Sequence, residues 1–112
     1  MTVIDFEIPG APVPKGRPRK GRHGFYTPRR TQAAEAEVAW YAHITGARFD
    51  GPVRVELDFY GGRGDVDNFG KLVLDGLQKG GLLRNDNQVM ELAIRKHPAA
   101  GNPRTIVRVS VL

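Results

Sequence analysis

The chain has 112 residues, of which 40% are apolar and 26% charged, and it contains no cysteine. That length suits one domain, residues 1–112, with a modest core; the composition argues against disorder, and the lack of cysteine excludes disulfides, thiolate zinc sites and cysteine nucleophiles. The net charge of +5 points only weakly to a polyanionic partner.

Thr2 to Ile8 alternates, with Ile4, Phe6 and Ile8 on one face, and reads as a half-buried strand ended by Pro9 and Gly10. Residues 9–30 follow as a long loop, because Pro9, Pro12, Pro14, Pro18 and Pro28 forbid a regular helix or central strand. Seven basic residues, Lys15, Arg17, Arg19, Lys20, Arg22, Arg29 and Arg30, fall between Gly10 and Arg30 with no acid among them. The remainder of the chain carries ten basic against twelve acidic residues, so the positive charge is concentrated in this segment. A loop of this length in a small domain is usually functional or disordered, and its charge favours function. Phe25 and Tyr26 near its end can pack it down or stack on a base.

Thr31 is placed to cap a helix over QAAEAEVAWYAHIT, with Ala36, Trp40 and His43–Ile44 at helical spacing, Trp40 read as core, and Gly46 as the stop. Val53 to Tyr60 is the clearest strand. A glycine-rich loop, Gly61–Gly64, leads into a second helix over about Val66 to Lys79, whose core stripe is Phe69, Val73 and Leu77. After a turn at Leu82–Asn87 come strands at Gln88–Lys96 and Thr105–Leu112, expected to form an antiparallel hairpin. The order β-α-β-α-β-β predicts an α+β fold: a mixed or antiparallel sheet with both helices on one face.

The most informative stretch is GDVDNFGKLVLDGLQKGGLLRNDNQV. Asp67, Lys71 and Asp75 share one helical stripe, away from the core stripe, and Asp65 and Asp67 sit at the helix N-terminus, where negative charge is stabilised. Mg²⁺ takes hard oxygen ligands and often only one or two carboxylates, so Asp65 and Asp67 can share one ion and Asp86 can close the site after the chain turns back. Lys71, one turn beyond Asp67, is placed to stabilise charge on a phosphate. Spacing alone leaves another reading open: an N-cap at Asp65 or Asp67, an exposed ion-pair ladder through Asp67, Lys71 and Asp75, and a turn residue at Asp86. The stiffened basic loop favours the functional reading, because PKGRPRKGRHG suits tracking a phosphodiester backbone, with Arg17 and Arg19 the best phosphate contacts and Lys15 behind them. His23, His43 and His97 lie beside no nucleophile, and Ser110, the only serine, lies inside a strand, so no triad is legible.

Asp65-Val66-Asp67-Asn68, then Lys71, Asp75 and Leu77, then Asn85-Asp86-Asn87-Gln88-Val89 and Lys96, resemble the RusA-type Holliday junction resolvases common in phage and prophage genomes. The PKGRPR segment and Tyr26-Thr27-Pro28 with Thr31 also look like phage members of that family. The resemblance implies a small α+β homodimer acting as a Mg²⁺-dependent endonuclease on branched DNA, the four-way junction, and leaves open whether Mn²⁺ can replace Mg²⁺. It implies Asp65, Asp67 and Asp86 as essential carboxylates and metal ligands, Lys71 as the catalytic lysine, and Asn68, Asp75 and Lys96 in support. Paired symmetric nicks with ligatable 5′-phosphate and 3′-hydroxyl ends would follow. Many relatives have paired aspartates where this chain has Asn85-Asp86; Asp86 matches the essential position. No organic cofactor and no membrane are implied, and with no signal-peptide pattern at MTVIDFEIPG the cytosol is the expected location. A non-catalytic nucleic-acid-binding phage accessory protein accounts for the basic loop but leaves the acidic pattern as caps and salt bridges. A Mg²⁺-dependent phosphohydrolase of small phosphates makes no use of the basic loop.

Overall fold

The computed structural model describes residues 2–98 and 101–112. In chain order the elements are β1 (Val3–Pro9), β2 (Arg19–Gly21), β3 (Gly24–Tyr26), α1 (Arg29–Ile44), β4 (Val53–Tyr60), α2 (Val66–Lys79), a 3-10 turn (Asp86–Gln88), β5 (Val89–His97) and β6 (Arg104–Val111). Four strands form a mixed sheet in the order β1-β6-β4-β5, with β6 antiparallel to both its neighbours and β5 parallel to β4. The expected α+β order therefore holds for the main sheet, with a small two-stranded hairpin, β2–β3, added inside the basic loop.

The two final strands do not form the expected hairpin, because β4 lies between them. Parallel strands need a crossover, and α2 provides it between β4 and β5. His97, which ends β5, and Arg104, which begins β6, then flank Tyr60 at the end of β4. Adjacency in sequence misleads here because β4 is the most deeply buried strand and takes a partner on each side: Val53, Val55, Leu57 and Phe59 are all buried.

That row meets Val107 and Val109 of β6 and Phe69, Val73 and Leu77 of α2, the stripe read from the sequence. The Phe59 and Phe69 rings lie 5.1 Å apart. The other sheet face is open and charged: Glu56 and Asp58 on β4 pair with Arg54 and Arg95.

The buried face of α1 differs from the expected one. Thr31, Glu35, Val38 and Ala42 face inward, whereas Trp40 is 58% exposed and Ile44 55%. The inward stripe contains a carboxylate, which hides it from any search for apolar periodicity. Glu35 is buried because Lys79 Nζ lies 2.5 Å from Oε1, with Lys15 Nζ at 3.9 Å from Oε2. Nor does Thr31 cap the helix: α1 begins earlier, after Pro28, with no side-chain cap. Thr31 Oγ1 instead accepts from the Gly16 amide at 3.0 Å and ties the basic loop to α1. The two helices pack so closely that a Cβ on Gly76 would stand 2.5 Å from Val38 and 3.1 Å from the Glu35 carbonyl oxygen. Among the described residues no helix is long and apolar enough to cross a membrane.

Candidate functional site

The acidic loop is shaped by glycine. Gly62 and Gly64 have φ of +82° and +149°, and a Cβ at either would stand 2.8 Å from an atom of the basic loop, the Pro12 carbonyl oxygen or the Pro14 ring. The root of the basic loop therefore lies directly on the acidic loop. Lys15 extends the contact: its amide donates to the Asn68 carbonyl oxygen at 3.0 Å, and its ammonium bonds the Asp75 carboxylate. The hydrogen bond to Asp75 is the main cause that holds the Lys15 pKa above its ordinary value, with Glu35 and Asp86 adding to it. Lys96, on β5, donates from Nζ to the Gly64 carbonyl oxygen at 2.8 Å and lies 5.6 Å above the Phe69 ring. Asn68, Asp75 and Lys96 are thus joined to the glycine loop or to the root of the basic loop.

Asp65 occupies the N-cap position of α2, yet its carboxylate makes no capping bond. Asp67 follows in the first turn, where the helix dipole favours negative charge. Both side chains are exposed, and among the described residues neither takes part in an ion pair. Lys71 is also exposed and unpaired among the described residues, so the ladder Asp67–Lys71–Asp75 is not built; Asp75 goes to Lys15 instead. Two carboxylates released from capping and pairing, in one exposed turn, are a donor set that fits a hard divalent cation such as Mg²⁺.

Asp86 stands elsewhere. It opens the 3-10 turn and its amide donates to Gln78 Oε1 at 3.2 Å, near the C-terminal end of α2. Among the described residues no three acidic, histidine or cysteine side chains come close enough to share an ion. Asp65 and Asp67 share one turn, and Asp86, from a separate turn, is near enough to act on the charge of Lys15, whose ammonium bonds Asp75 on α2.

Asn85 has a role that the sequence did not reveal. Its Oδ1 accepts from the Asn87 amide at 3.0 Å and caps the turn that presents Asp86. Amide and carboxylate oxygens both serve at such a cap, so Asn is accommodated here. Gln88 is buried beneath: Oε1 accepts from the Arg84 and Asn85 amides at 2.7 and 3.0 Å, and Nε2 donates to the Phe49 and Gly51 carbonyl oxygens at 2.7 and 2.9 Å. It does not begin β5, as the sequence pattern predicted, but staples the Asp86 turn to the segment before β4.

The rest of the basic segment projects outward. Arg19 and Lys20 lie on β2, Arg22 follows at the turn of the hairpin, and Arg29 and Arg30 open α1; these and Arg17 are exposed. None is in an ion pair among the described residues. Arg29 and Arg30 occupy a helix N-terminus, where the dipole disfavours cations, so helix stability does not account for them. Phe25 on β3 is 76% exposed and Tyr26 51%, so neither packs the loop down.

On the open sheet face, His97 Nε2 lies 2.7 Å from Asp58 Oδ1 and its ring stacks on Tyr60 at 4.5 Å. Arg95 bonds both Asp58 oxygens and is the main cause that holds this carboxyl below its ordinary pKa, with His97 assisting. His97 is structural, as its lone position in the sequence suggested.

A family model described as endodeoxyribonuclease RusA matches residues 9–110 of this chain. A curated relative from Aquifex aeolicus (strain VF5), named crossover junction endodeoxyribonuclease RusA, is 26% identical over 118 residues, covering 97% of this chain and 92% of the relative.

Proposed function

The chain belongs to the RusA endodeoxyribonuclease family, and from that premise we propose that it is a Mg²⁺-dependent, homodimeric enzyme that resolves Holliday junctions by paired symmetric nicks. The observation that carries the metal reading is the pair of unpaired carboxylates, Asp65 and Asp67, at the mouth of α2 beside an exposed lysine, Lys71. Asp65 and Asp67 would hold the ion; bound there, Mg²⁺ supplies a reactive water at neutral pH and charge neutralisation at the phosphate. Lys71 sets a positive charge one turn from Asp67, where it stabilises charge developing on the scissile phosphate. The outward cations of the hairpin and of α1 bind the DNA backbone and orient the strand toward the acidic loop. Phe25 offers an apolar ring to an unstacked base at the junction.

Asp86 comes from a separate turn, and the dimer decides which chain's site it serves. A two-fold dimer matches a substrate with two equivalent strands. It also gives Asp86 two routes to a site, within its own chain or across to the partner subunit.

The decisive experiment is cleavage of a labelled synthetic four-way junction, with and without Mg²⁺, beside a linear duplex of the same sequence. Paired nicks that need metal and vanish in Asp67→Asn support the reading; tight binding with no cleavage under any metal overturns it in favour of a non-catalytic binding module. Mixing Asp67→Asn with Asp86→Asn chains tests the shared site. A site built across the dimer regains cleavage in the mixed dimer, with one intact site per molecule, whereas a site built within one chain stays inactive.

A further inference from the structure

An open groove of about 880 Å³ lies beside the acidic loop, and none of the residues proposed above as metal ligands lines it. Its cationic walls come from three separate elements: Arg30 from the first turn of α1, Arg63 from the glycine loop, and Lys96 from the end of β5, with His97 beside it. Pro12 and Gly62 form its apolar floor. No acidic side chain is among its lining residues. Arg30, Arg63 and Lys96 take part in no ion pair among the described residues. Lys96 spends one donor on the Gly64 carbonyl oxygen and keeps two of its three for a ligand.

Three cations gathered around a concave surface repel one another, and a protein that gains nothing from the arrangement pairs them or lets them diverge. The hinge of the groove is fixed: the Pro12 carbonyl oxygen and ring are packed too closely on Gly62 for any Cβ there. Arg63 is two residues from Asp65, so their Cα atoms lie within about 7.6 Å. A nucleic-acid strand whose scissile phosphate sits at Asp65 and Asp67 therefore runs, on leaving them, into this groove.

We propose that the groove binds the backbone phosphate next to the scissile one on the cleaved strand, with Arg63 as its principal ligand and Arg30 and Lys96 flanking it. The proposal rests on the nuclease reading for the identity of the strand. It separates the work of the cations: those of the hairpin hold the junction at large, and those of the groove set which phosphodiester meets the acidic loop.

Binding and cleavage position are measured separately. In the Asp67→Asn background, which removes cleavage, Arg63→Gln weakens junction binding roughly five- to tenfold and flattens the slope of log affinity against log salt by about 0.9, the value of one phosphate contact. Arg63→Lys retains most of both. Arg63 lies on an exposed loop, so folding is not at stake, and Arg30→Gln provides a second variant from another element. Junctions in which single phosphates are replaced by neutral methylphosphonates locate the contact. The chain with Arg63 loses affinity at the phosphate beside the cleavage site, and Arg63→Gln shows no further loss there. Equal affinity and slope for Arg63→Gln, or additive losses at every phosphate, overturn the proposal. Saturable displacement of the junction by millimolar inorganic phosphate makes the groove a free-anion site and overturns the strand assignment. Binding that behaves as expected while the Asp67-intact chain cuts nothing refutes the nuclease reading and leaves the groove standing as a strand-binding site; no junction binding by the chain with Arg63 refutes both.

Discussion

The acidic end of α2 and the basic arm of residues 17–27 lie against each other at one root and are built in opposite ways. Asp65 and Asp67 begin a helix whose inner face is fully packed, with Phe69, Val73 and Leu77 all buried. Asp86 rests on Gln88, which is held by four hydrogen bonds. The arm, by contrast, has a three-residue-per-strand hairpin and exposed side chains, and it is tied down at its root by Gly16 to Thr31 and Lys15 to Asp75 and Asn68. Groups that meet a reacting atom need fixed positions, because small displacements cost large factors in rate. Groups that meet a flexible polyanion need reach, and rigidity gains them little. The difference teaches where each kind of mutation should register.

The comparison is broken most sharply at the carboxylates. Asp67→Asn is expected to lower junction cleavage about a thousandfold or more while leaving junction affinity within a few fold, measured by gel cleavage and gel shift on the same samples. Comparable loss of both would erase the division of labour. Next in size is Gln88→Ala, which takes the partner from four backbone groups, the Phe49 carbonyl among them buried, and should cost about 3 kcal/mol in chemical denaturation, lowering cleavage only through loss of fold. On the arm, replacing Arg19, Lys20 and Arg22 together by Gln should leave the denaturation midpoint nearly unchanged and weaken junction binding by ten- to a hundredfold, roughly, with a flatter salt slope. Thr31→Val removes the acceptor for the Gly16 amide. It should cost about 1 kcal/mol and speed proteolysis within residues 17–27 before any cut elsewhere.

The smallest effect sharpens the contrast from the scaffold side. Asp58 is held below its ordinary carboxyl pKa by Arg95 and His97, so the folded state binds its proton less readily than the unfolded chain. Its contribution is present above the unfolded value of about 3.9 and is lost as pH falls through the lower folded value. Less than about 1 kcal/mol is at stake for so accessible a pair. Denaturation midpoints taken from pH 6 down to pH 3 should fall less steeply in Asp58→Asn than in the native chain.

What could be read in advance follows from what each element needs. β4 and α2 were legible to the residue because a strand and a helix that each bury one face display their period directly. The inner face of α1 was not, since Glu35 interrupts it and its lysine partners come from distant positions. The β2–β3 hairpin has no apolar alternation to announce it; Gly24, at φ +109°, supplies the turn backbone, and Arg-Lys-Gly looks like any solvated run. The candidate ligands were legible as residues but not as an arrangement. Linear spacing shows that Asp86 comes soon after α2, and only the folded chain shows that its turn is held by the side chains of Gln78 and Gln88.

The sheet order bears on how the molecule comes into being. β6 sits between β1 and β4, and its pairing with β1, Val3 to Ser110, closes a loop of roughly a hundred residues. Such distant pairings form slowly, so folding is expected in the slower range for a chain of this size. Until residues 104–111 dock, Val55, Leu57 and Phe59 lack their partners on β6, so a strand near the C-terminal end of the sequence completes the pairing of both β1 and β4.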